Sequence, residues 1–138
     1  MSYLLDTNVL SELRRRAPAP AVLAWFQDRP VGSLYLSVLT LGELRKGIEA
    51  LADEPRRLGL IDWLETQLPA FFAGRILPVD ATVADRWGRM LAAAGRPVPA
   101  IDSLLAATAA AQGLTLVTRN LRDVADLGVP VINPWTDA

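Results

Sequence analysis

Three acidic side chains of this sequence lie in otherwise apolar surroundings. Asp6 directly follows an apolar run, Glu43 is the only charged residue in 38–44, and Asp102 is the only one in 97–118. Carboxylates that a fold brings together raise one another's pKa unless a cation compensates their charge. A divalent cation held by carboxylate oxygens can activate water and stabilise a phosphoryl transition state. The pattern therefore favours metal-assisted phosphoester chemistry.

Each acid also has an ordinary structural explanation. Asp6 can cap the helix that follows it, because an aspartate oxygen accepts the free N–H groups of a first turn. Asp102 can be a first-turn acid that the helix dipole favours. Glu43 can be a solvated helix carboxylate paired with Arg45 or Lys46. Taken singly, the acids do not separate these explanations from a shared site.

Further polar side chains follow the predicted strands at their carboxyl ends. Open α/β sheets bind ligands beyond those ends. Thr7 and Asn8 come after the first strand, and Ser37 ends the second. The fourth strand is followed by Thr118, Arg119 and Asn120, with Asp123 just after. We expect Thr7, Asn8, Ser37 and Thr118 to orient water or phosphate beside the acids.

The residue types that are absent exclude several kinds of chemistry. The sequence has 138 residues with no cysteine and no histidine. Disulfides, zinc sites built on cysteine or histidine, thiol nucleophiles and Ser-His-Asp triads are therefore excluded. A bound metal would have oxygen ligands and would be magnesium or manganese rather than zinc or copper. The net charge of −1 does not by itself indicate nucleic acid or membrane binding.

Short apolar strands alternate with helices along the chain. The strands are predicted at residues 2–5, 34–37, 76–79, 114–117 and 129–132. The helices begin near Val9 and are then predicted at 21–28, 38–51, 55–73, 81–94, 99–112 and 121–127. Short continuous apolar strands are typical of a parallel sheet that is covered on both faces. We predict a single α/β domain over 1–138, a three-layer α/β/α sandwich around a short-stranded, mainly parallel sheet.

Four sequence blocks, in order, resemble those of PIN-domain ribonucleases. The first is Leu5-Asp6-Thr7-Asn8-Val9-Leu10-Ser11-Glu12, and the second spans residues 37–47 around Glu43. The third is residues 100–109 around Asp102, and the fourth is Leu116-Val117-Thr118-Arg119-Asn120. Residues 72–78 and the tail Asn133-Pro134-Trp135 resemble the VapC/FitB branch in particular. The resemblance covers nearly the whole chain.

The resemblance implies an endoribonuclease that is the toxin of a type II toxin–antitoxin pair. It implies a Mg²⁺ cofactor, with Mn²⁺ as an alternative, and Asp6, Glu43 and Asp102 as the metal-site acids. A fourth site position, an aspartate in some relatives, is Asn120 here, and Asp123 could supply that acid from a nearby turn. The implied partners are an RNA substrate, a cognate antitoxin that covers the active groove, and a second copy in a homodimer. The sequence shows no targeting or membrane-spanning segment, so we expect a cytoplasmic protein.

Two other classes of function remain as alternatives. A haloacid-dehalogenase-like phosphatase would also use an aspartate after the first strand, but it needs a second acid two residues later, where this chain has Asn8. A non-catalytic, receiver-like or protein-binding α/β domain is the second alternative. Receivers carry adjacent acids near the first strand and a lysine late in the chain, whereas the only lysine here is Lys46. A trapped aspartyl-phosphate would favour the first alternative, and the absence of divalent-cation binding would favour the second.

Overall fold

A five-stranded parallel sheet forms the centre of the molecule. The computed structural model describes residues 1–136. The strands are β1 (Tyr3–Leu5), β2 (Leu34–Ser37), β3 (Ile76–Leu77), β4 (Thr115–Val117) and β5 (Val131–Ile132), in the order β3-β2-β1-β4-β5. Every neighbouring pair is parallel. The chain order reverses direction at β1, so β1 is the central strand and its carboxyl end lies between those of β2 and β4.

The helices connect the strands as crossovers. They are α1 (Thr7–Leu13), α2 (Pro20–Gln27), α3 (Val38–Glu49), α4 (Glu54–Asp62), α5 (Leu68–Phe71), α6 (Ala81–Ala94), α7 (Ala100–Gln112) and α8 (Leu121–Val124). A 3₁₀ turn, Val31–Ser33, precedes β2, and a π turn, Trp63–Gln67, joins α4 to α5. None of the helices in residues 1–136 has both the length and the apolar character needed to cross a membrane.

Side-chain alternation along the strands builds two cores, one on each face of the sheet. Tyr3 and Leu5 belong to a cluster with residues of α1–α5, whereas Leu4 between them packs with residues of α6–α8. In β4, Val117 belongs to the first cluster and Leu116 to the second. Successive side chains of a strand point to opposite faces, so a buried strand must be apolar throughout. The predicted three-layer α/β/α sandwich is confirmed.

Capping side chains start helices immediately after two of the strands. The Asp6 carboxylate accepts the backbone N–H of Thr7 at the start of α1, and the Ser37 hydroxyl accepts that of Leu39 at the start of α3. Such caps satisfy N–H groups that have no partner within the helix. The helix starts therefore lie directly at the carboxyl edge of the sheet, and the first residues of α1 and α3 are neighbours there.

Residues 55–73 differ from the single regular helix that the sequence predicts. The π turn interrupts it before Pro69, where the N–H of Leu68 bonds the carbonyl of Trp63 five residues earlier. A proline within a helix removes a backbone donor, and a wider turn accommodates that loss. Leu58 is 53% exposed, while Leu64, Leu68 and Phe72 are buried.

The other boundary differences are shortened elements. The strand predicted at 76–79 has only Ile76 and Leu77, because Pro78 cannot donate to a strand ladder. The helix predicted at 121–127 ends at Val124. The strand predicted at 129–132 is reduced to Val131 and Ile132, because Pro130, like Pro78, has no backbone N–H to donate.

Candidate functional site

The three acids that the sequence singles out line one cleft at the carboxyl edge of the sheet. The cleft has a volume of about 480 Å³, and Asp6, Glu43 and Asp102 are all part of its wall. Asp6 follows β1, Glu43 lies on α3 beyond β2, and Asp102 lies in the first turn of α7. The parallel topology therefore brings together side chains that are as much as 96 residues apart in the sequence.

Asp6 is a buried carboxylate with both oxygens hydrogen-bonded. Its Oδ1 accepts the N–H of Thr7 at 2.7 Å, and its Oδ2 accepts the Thr118 hydroxyl at 2.7 Å and Asn8 Nδ2 at 3.2 Å. Burial raises the pKa of Asp6 above its usual value, the bonds from Thr118 and Thr7 oppose that rise, and the nearby charge of Glu43 adds to it. A carboxylate can accept about four hydrogen bonds, so Asp6 can still bind a further ligand after accepting these three.

Glu43 is tied to the same network through Thr7. The Thr7 hydroxyl donates to Glu43 Oε1 at 2.5 Å, while the Thr7 backbone N–H donates to Asp6. One residue at the start of α1 thus holds carboxylates from two different elements. Glu43 itself is half-buried, so part of its carboxylate faces the cleft.

Asp102 has the largest clear perturbation in the site. Its pKa rises to about 6, chiefly because burial penalises the charged form and also because Asp6, Asp123 and Glu43 place negative charge nearby. A side-chain hydrogen bond between Asp102 and Asp123 adds to the rise, since two carboxyl groups can share a bond only when one carries a proton. Perturbed carboxyl groups in a cleft are typical of functional sites.

The donor chemistry of the cleft fits a hard divalent cation. The available ligands are carboxylate, hydroxyl and amide oxygens, and the mutual repulsion that raises the pKa of Asp102 is what a cation would relieve. Within residues 1–136, however, no three acidic side chains are grouped closely enough to hold a metal ion together. Magnesium is usually held by one or two carboxylates together with water and substrate phosphate, so it does not require such a group.

The remaining predicted site residues divide into cleft and supporting positions. Asn120 lines the cleft, and its N–H donates to the Thr118 hydroxyl at 3.0 Å. Asp123 is not part of the cleft wall, but its charge helps to raise the pKa of Asp102. Thr118 is buried and reaches the cleft through Asp6. Ser37 is buried as the cap of α3 and is not part of the cleft wall.

Five cleft residues were not selected as site residues from the sequence. Ser11, Glu12 and Arg15 of the α1 region line the cleft, as do Arg119 and Trp135. Glu12 is buried, and it accepts the backbone N–H of Ala19 at 2.9 Å. A charged residue between Leu10 and Leu13, on the apolar side of a helix, was the available signal for Glu12. No local signal identifies Trp135, since its place at the cleft depends on the position of β5.

Known proteins resemble this chain over nearly its whole length. The PIN domain family model matches residues 3–128. The chain is 42% identical to plasmid stability protein StbB of Pseudomonas syringae pv. tomato, over 96% of this chain and 97% of that protein. It is 38% identical to VapC ribonuclease Y4jK of Sinorhizobium fredii over 98% and 99%, and 39% identical to toxin FitB of Neisseria gonorrhoeae over 97% and 99%.

Solved structures show the same fold. The structure of FitAcB from Neisseria gonorrhoeae superimposes with a TM-score of 0.92 at 37% identity, covering 97% of this chain and 99% of that one. A structure of FitAB bound to an IR36 DNA fragment gives a TM-score of 0.89 at 35% identity, covering 96% and 95%.

Proposed function

The chain belongs to the PIN-domain family of ribonucleases, in its VapC/FitB toxin branch, and we propose that it hydrolyses RNA with a magnesium ion held by Asp6, Glu43 and Asp102. The observation that carries this proposal is the convergence of the three acids on one cleft. Family membership removes the phosphatase and the non-catalytic binding domain as competing functions.

The chain's own residues have distinct roles in this proposal. Asp6 and Asp102 would hold the ion directly, and Glu43 would bind it or orient a water molecule beside it. When bound, the ion would supply Lewis-acid chemistry that activates water and neutralises charge on the phosphate. Thr7 and Thr118 fix the orientation of Glu43 and Asp6 by hydrogen bonds of 2.5 Å and 2.7 Å. Mn²⁺ would satisfy the same oxygen ligands.

The proposed reaction is an in-line hydrolysis. A water oxygen forms a bond to phosphorus while the bond to the 3′ oxygen breaks. A carboxylate of the cleft accepts the proton of the attacking water, because the chain contains no histidine to serve as base. The leaving oxygen takes up a proton, so the products are a 5′ phosphate and a 3′ hydroxyl. Asn120 and Asp123 are the candidates for a fourth site residue, the first at the cleft and the second through Asp102.

The partners follow the same assignment. We propose that a cognate antitoxin covers this cleft and inhibits the enzyme, and that the toxin acts as a homodimer on cytoplasmic RNA. The similar FitAcB and FitAB structures, and that of VapBC-5, a member of the VapBC family of toxin-antitoxin systems, support the antitoxin as partner. We also propose that residues 1–138 function as one nuclease domain.

The proposal is tested by incubating purified protein with end-labelled RNA in Mg²⁺, in Mn²⁺ and in excess chelator. We expect cleavage with either metal, none with chelator, and 5′-phosphate product ends. Asp6→Asn keeps the size of the side chain but removes its charge, and we expect it to lower kcat by at least about 10²-fold. Its circular dichroism spectrum should match that of the wild type.

Asp28→Asn is a suitable control, since Asp28 ends α2 and does not line the cleft. It should cleave RNA like the wild type. Undiminished cleavage by Asp6→Asn, or by the wild type in chelator, would contradict the assignment of the acids to a metal site.

A further inference from the structure

Arg119 and Trp135 form a stacked pair at the wall of the cleft. The guanidinium carbon of Arg119 lies 5.0 Å from the centroid of the Trp135 ring, and both residues line the same cleft as the acids. Arg119 comes two residues after β4 and Trp135 three residues after β5. Because β4 and β5 are parallel neighbours, the two side chains leave the sheet at the same edge.

Arg119 is the cleft arginine that has no acidic partner among residues 1–136, so its guanidinium is available to a ligand. The other arginine in the wall, Arg15, lies 3.4 Å from the carboxylate of Glu12. Arg119 takes part in no salt bridge among residues 1–136, and it is exposed. A polyanion that enters an acidic cleft needs such a cation, since the carboxylates repel its phosphates.

Trp135 is held in place as a rigid surface. It is half-buried and packs against the core cluster that contains Leu5 and Val117, and its backbone N–H donates to Asn133 Oδ1 at 2.9 Å. Arg119 is fixed from the other side, where its backbone N–H donates to Asn8 Oδ1 at 3.4 Å. Asn8 also bonds Asp6, so the pair is linked directly to the proposed metal site.

We propose that Arg119 and Trp135 bind the nucleotide next to the scissile phosphate, with the guanidinium holding a phosphate and an unpaired base stacking on the pair. This inference rests on the proposed ribonuclease function. Proteins that recognise single-stranded RNA stack its bases on aromatic rings and on arginine planes. An arginine also offers N–H donors at its edge that match phosphate oxygens while its face remains available. The pair would thus help to select where the RNA is cut.

The observations favour RNA over the antitoxin as the occupant of this pair. The cleft combines carboxylates for a metal, one unpaired guanidinium and one aromatic surface, which together match a phosphate and its attached base. A basic side chain of a protein inhibitor would be attracted to the acids and repelled by Arg119. Binding of the antitoxin to the pair is therefore the alternative outcome of the test.

The test compares variants on a single-stranded RNA that the wild type cuts in Mg²⁺. Trp135→Leu should raise KM roughly 5- to 100-fold, the range expected for the loss of one base stack, with a much smaller change in kcat. Trp135→Phe keeps an aromatic ring and should restore most of the affinity. Arg119→Gln should also raise KM, and it should reduce the slope of log affinity against log salt by about 0.7, since one phosphate contact is lost. The cut positions should redistribute in Trp135→Leu.

Binding is measured separately from cleavage. In the Asp6→Asn background, anisotropy of a labelled RNA gives the dissociation constant without turnover, and thermal melts show whether each variant is folded. Arg89→Gln removes an exposed arginine of α6, and Phe71→Leu removes an exposed aromatic ring, both outside the cleft. Neither control should change KM or the cut positions.

The possible results separate the two proposals. If the wild type cuts no RNA in either metal, the proposed function fails. If the wild type cuts RNA but folded Trp135→Leu and Arg119→Gln keep its KM, salt dependence and cut positions, the nucleotide-binding role is wrong. If those variants bind RNA normally and instead resist inhibition by the antitoxin, the pair belongs to the protein interface, and the inference is likewise overturned.

Discussion

At the scale of single residues, the Thr118 hydroxyl connects several groups of the site. It donates to Asp6 Oδ2 at 2.7 Å and accepts the backbone N–H of Asn120 at 3.0 Å and Asn8 Nδ2 at 3.3 Å. The bond to Asp6 favours the charged carboxylate and so opposes the effect of burial on its pKa. Thr118 does not line the cleft, yet it therefore influences the pKa of Asp6, which does.

Thr118→Val tests this role, because valine keeps the shape of threonine and removes the hydroxyl. We expect the pKa of Asp6 to rise further, so that the acidic limb of the kcat/KM profile moves to higher pH. Activity near pH 7 should fall by about 10- to 100-fold, the usual effect of losing a group that orients a metal ligand. The measurement is cleavage of labelled RNA across a pH series.

Thr108→Val provides the matched comparison. Thr108 is equally buried, but its hydroxyl donates to the carbonyl of Leu104 within α7. This variant should keep the wild-type pH profile. An identical displacement of the profile in both variants would show that Thr118 acts through general stability and not through Asp6.

At the scale of elements, a buried glutamate joins α1 to α2. Glu12 Oε2 accepts the N–H of Ala19 at 2.9 Å, at the start of α2, where no side chain of α2 itself caps the helix. Glu12 Oε1 lies 3.4 Å from Arg15 Nη1. The carboxylate thus determines how the chain turns between the two helices, and with it the position of one wall of the cleft.

Removing this carboxylate should destabilise the junction. Glu12→Ala leaves the N–H of Ala19 without its acceptor, and we expect a loss of about 1–3 kcal/mol in the free energy of unfolding. Urea denaturation followed by tryptophan fluorescence measures it. Glu12→Gln retains a carbonyl acceptor and should lose less. If the alanine and glutamine variants are as stable as the wild type, the bond to Ala19 does not hold the junction.

At the scale of the whole molecule, the cleft concentrates negative charge within a nearly neutral protein. The formal net charge is −1, yet Asp6, Glu12, Glu43 and Asp102 line one surface together with only two arginines. Burial chiefly, and the neighbouring negative charges in addition, raise the pKa of Asp6 and of Asp102, so keeping these carboxylates charged without a cation costs free energy. Folding and metal binding should therefore be coupled in this protein.

Asp102 makes that coupling measurable through pH. Its pKa is about 6 in the folded protein against an ordinary 3.8, so the folded state binds its proton more tightly. The stabilisation of the folded state by this proton on Asp102 is fully present below about pH 4, and it is lost as the pH rises through 6. In chelator at pH 7.5, Asp102→Asn should be more stable than the wild type by about 1 kcal/mol after solvent screening, and the difference should vanish near pH 4.

Thermal melts in buffers from pH 4 to pH 8 test this dependence. Addition of Mg²⁺ at pH 7.5 should then raise the melting temperature of the wild type more than that of Asp102→Asn. Asp53→Asn, at the exposed start of α4, controls for the loss of a carboxylate elsewhere. A constant stability difference between wild type and Asp102→Asn across the whole pH range would contradict the assignment.

The sequence by itself determined the layer architecture and the identity of the acids. Short apolar strands alternate with amphipathic helices, and this pattern predicts a covered parallel sheet because it reflects local periodicity. The acids stood out because each is an isolated charge among apolar residues. Element ends were less predictable: the π turn before Pro69 and the two-residue strand at Ile76 depend on competing backbone bonds that periodicity does not report.

Only the tertiary structure decided which side chains meet at the cleft. Thr118 bonds Asp6 across 112 positions of sequence, Arg119 lies on Trp135 beyond two neighbouring strands, and Glu12 turns inward to Ala19. These contacts arise from the order of the strands and from the capping of α1 and α3. Local sequence patterns encode the faces of individual elements, whereas contacts between elements depend on where the whole chain places them.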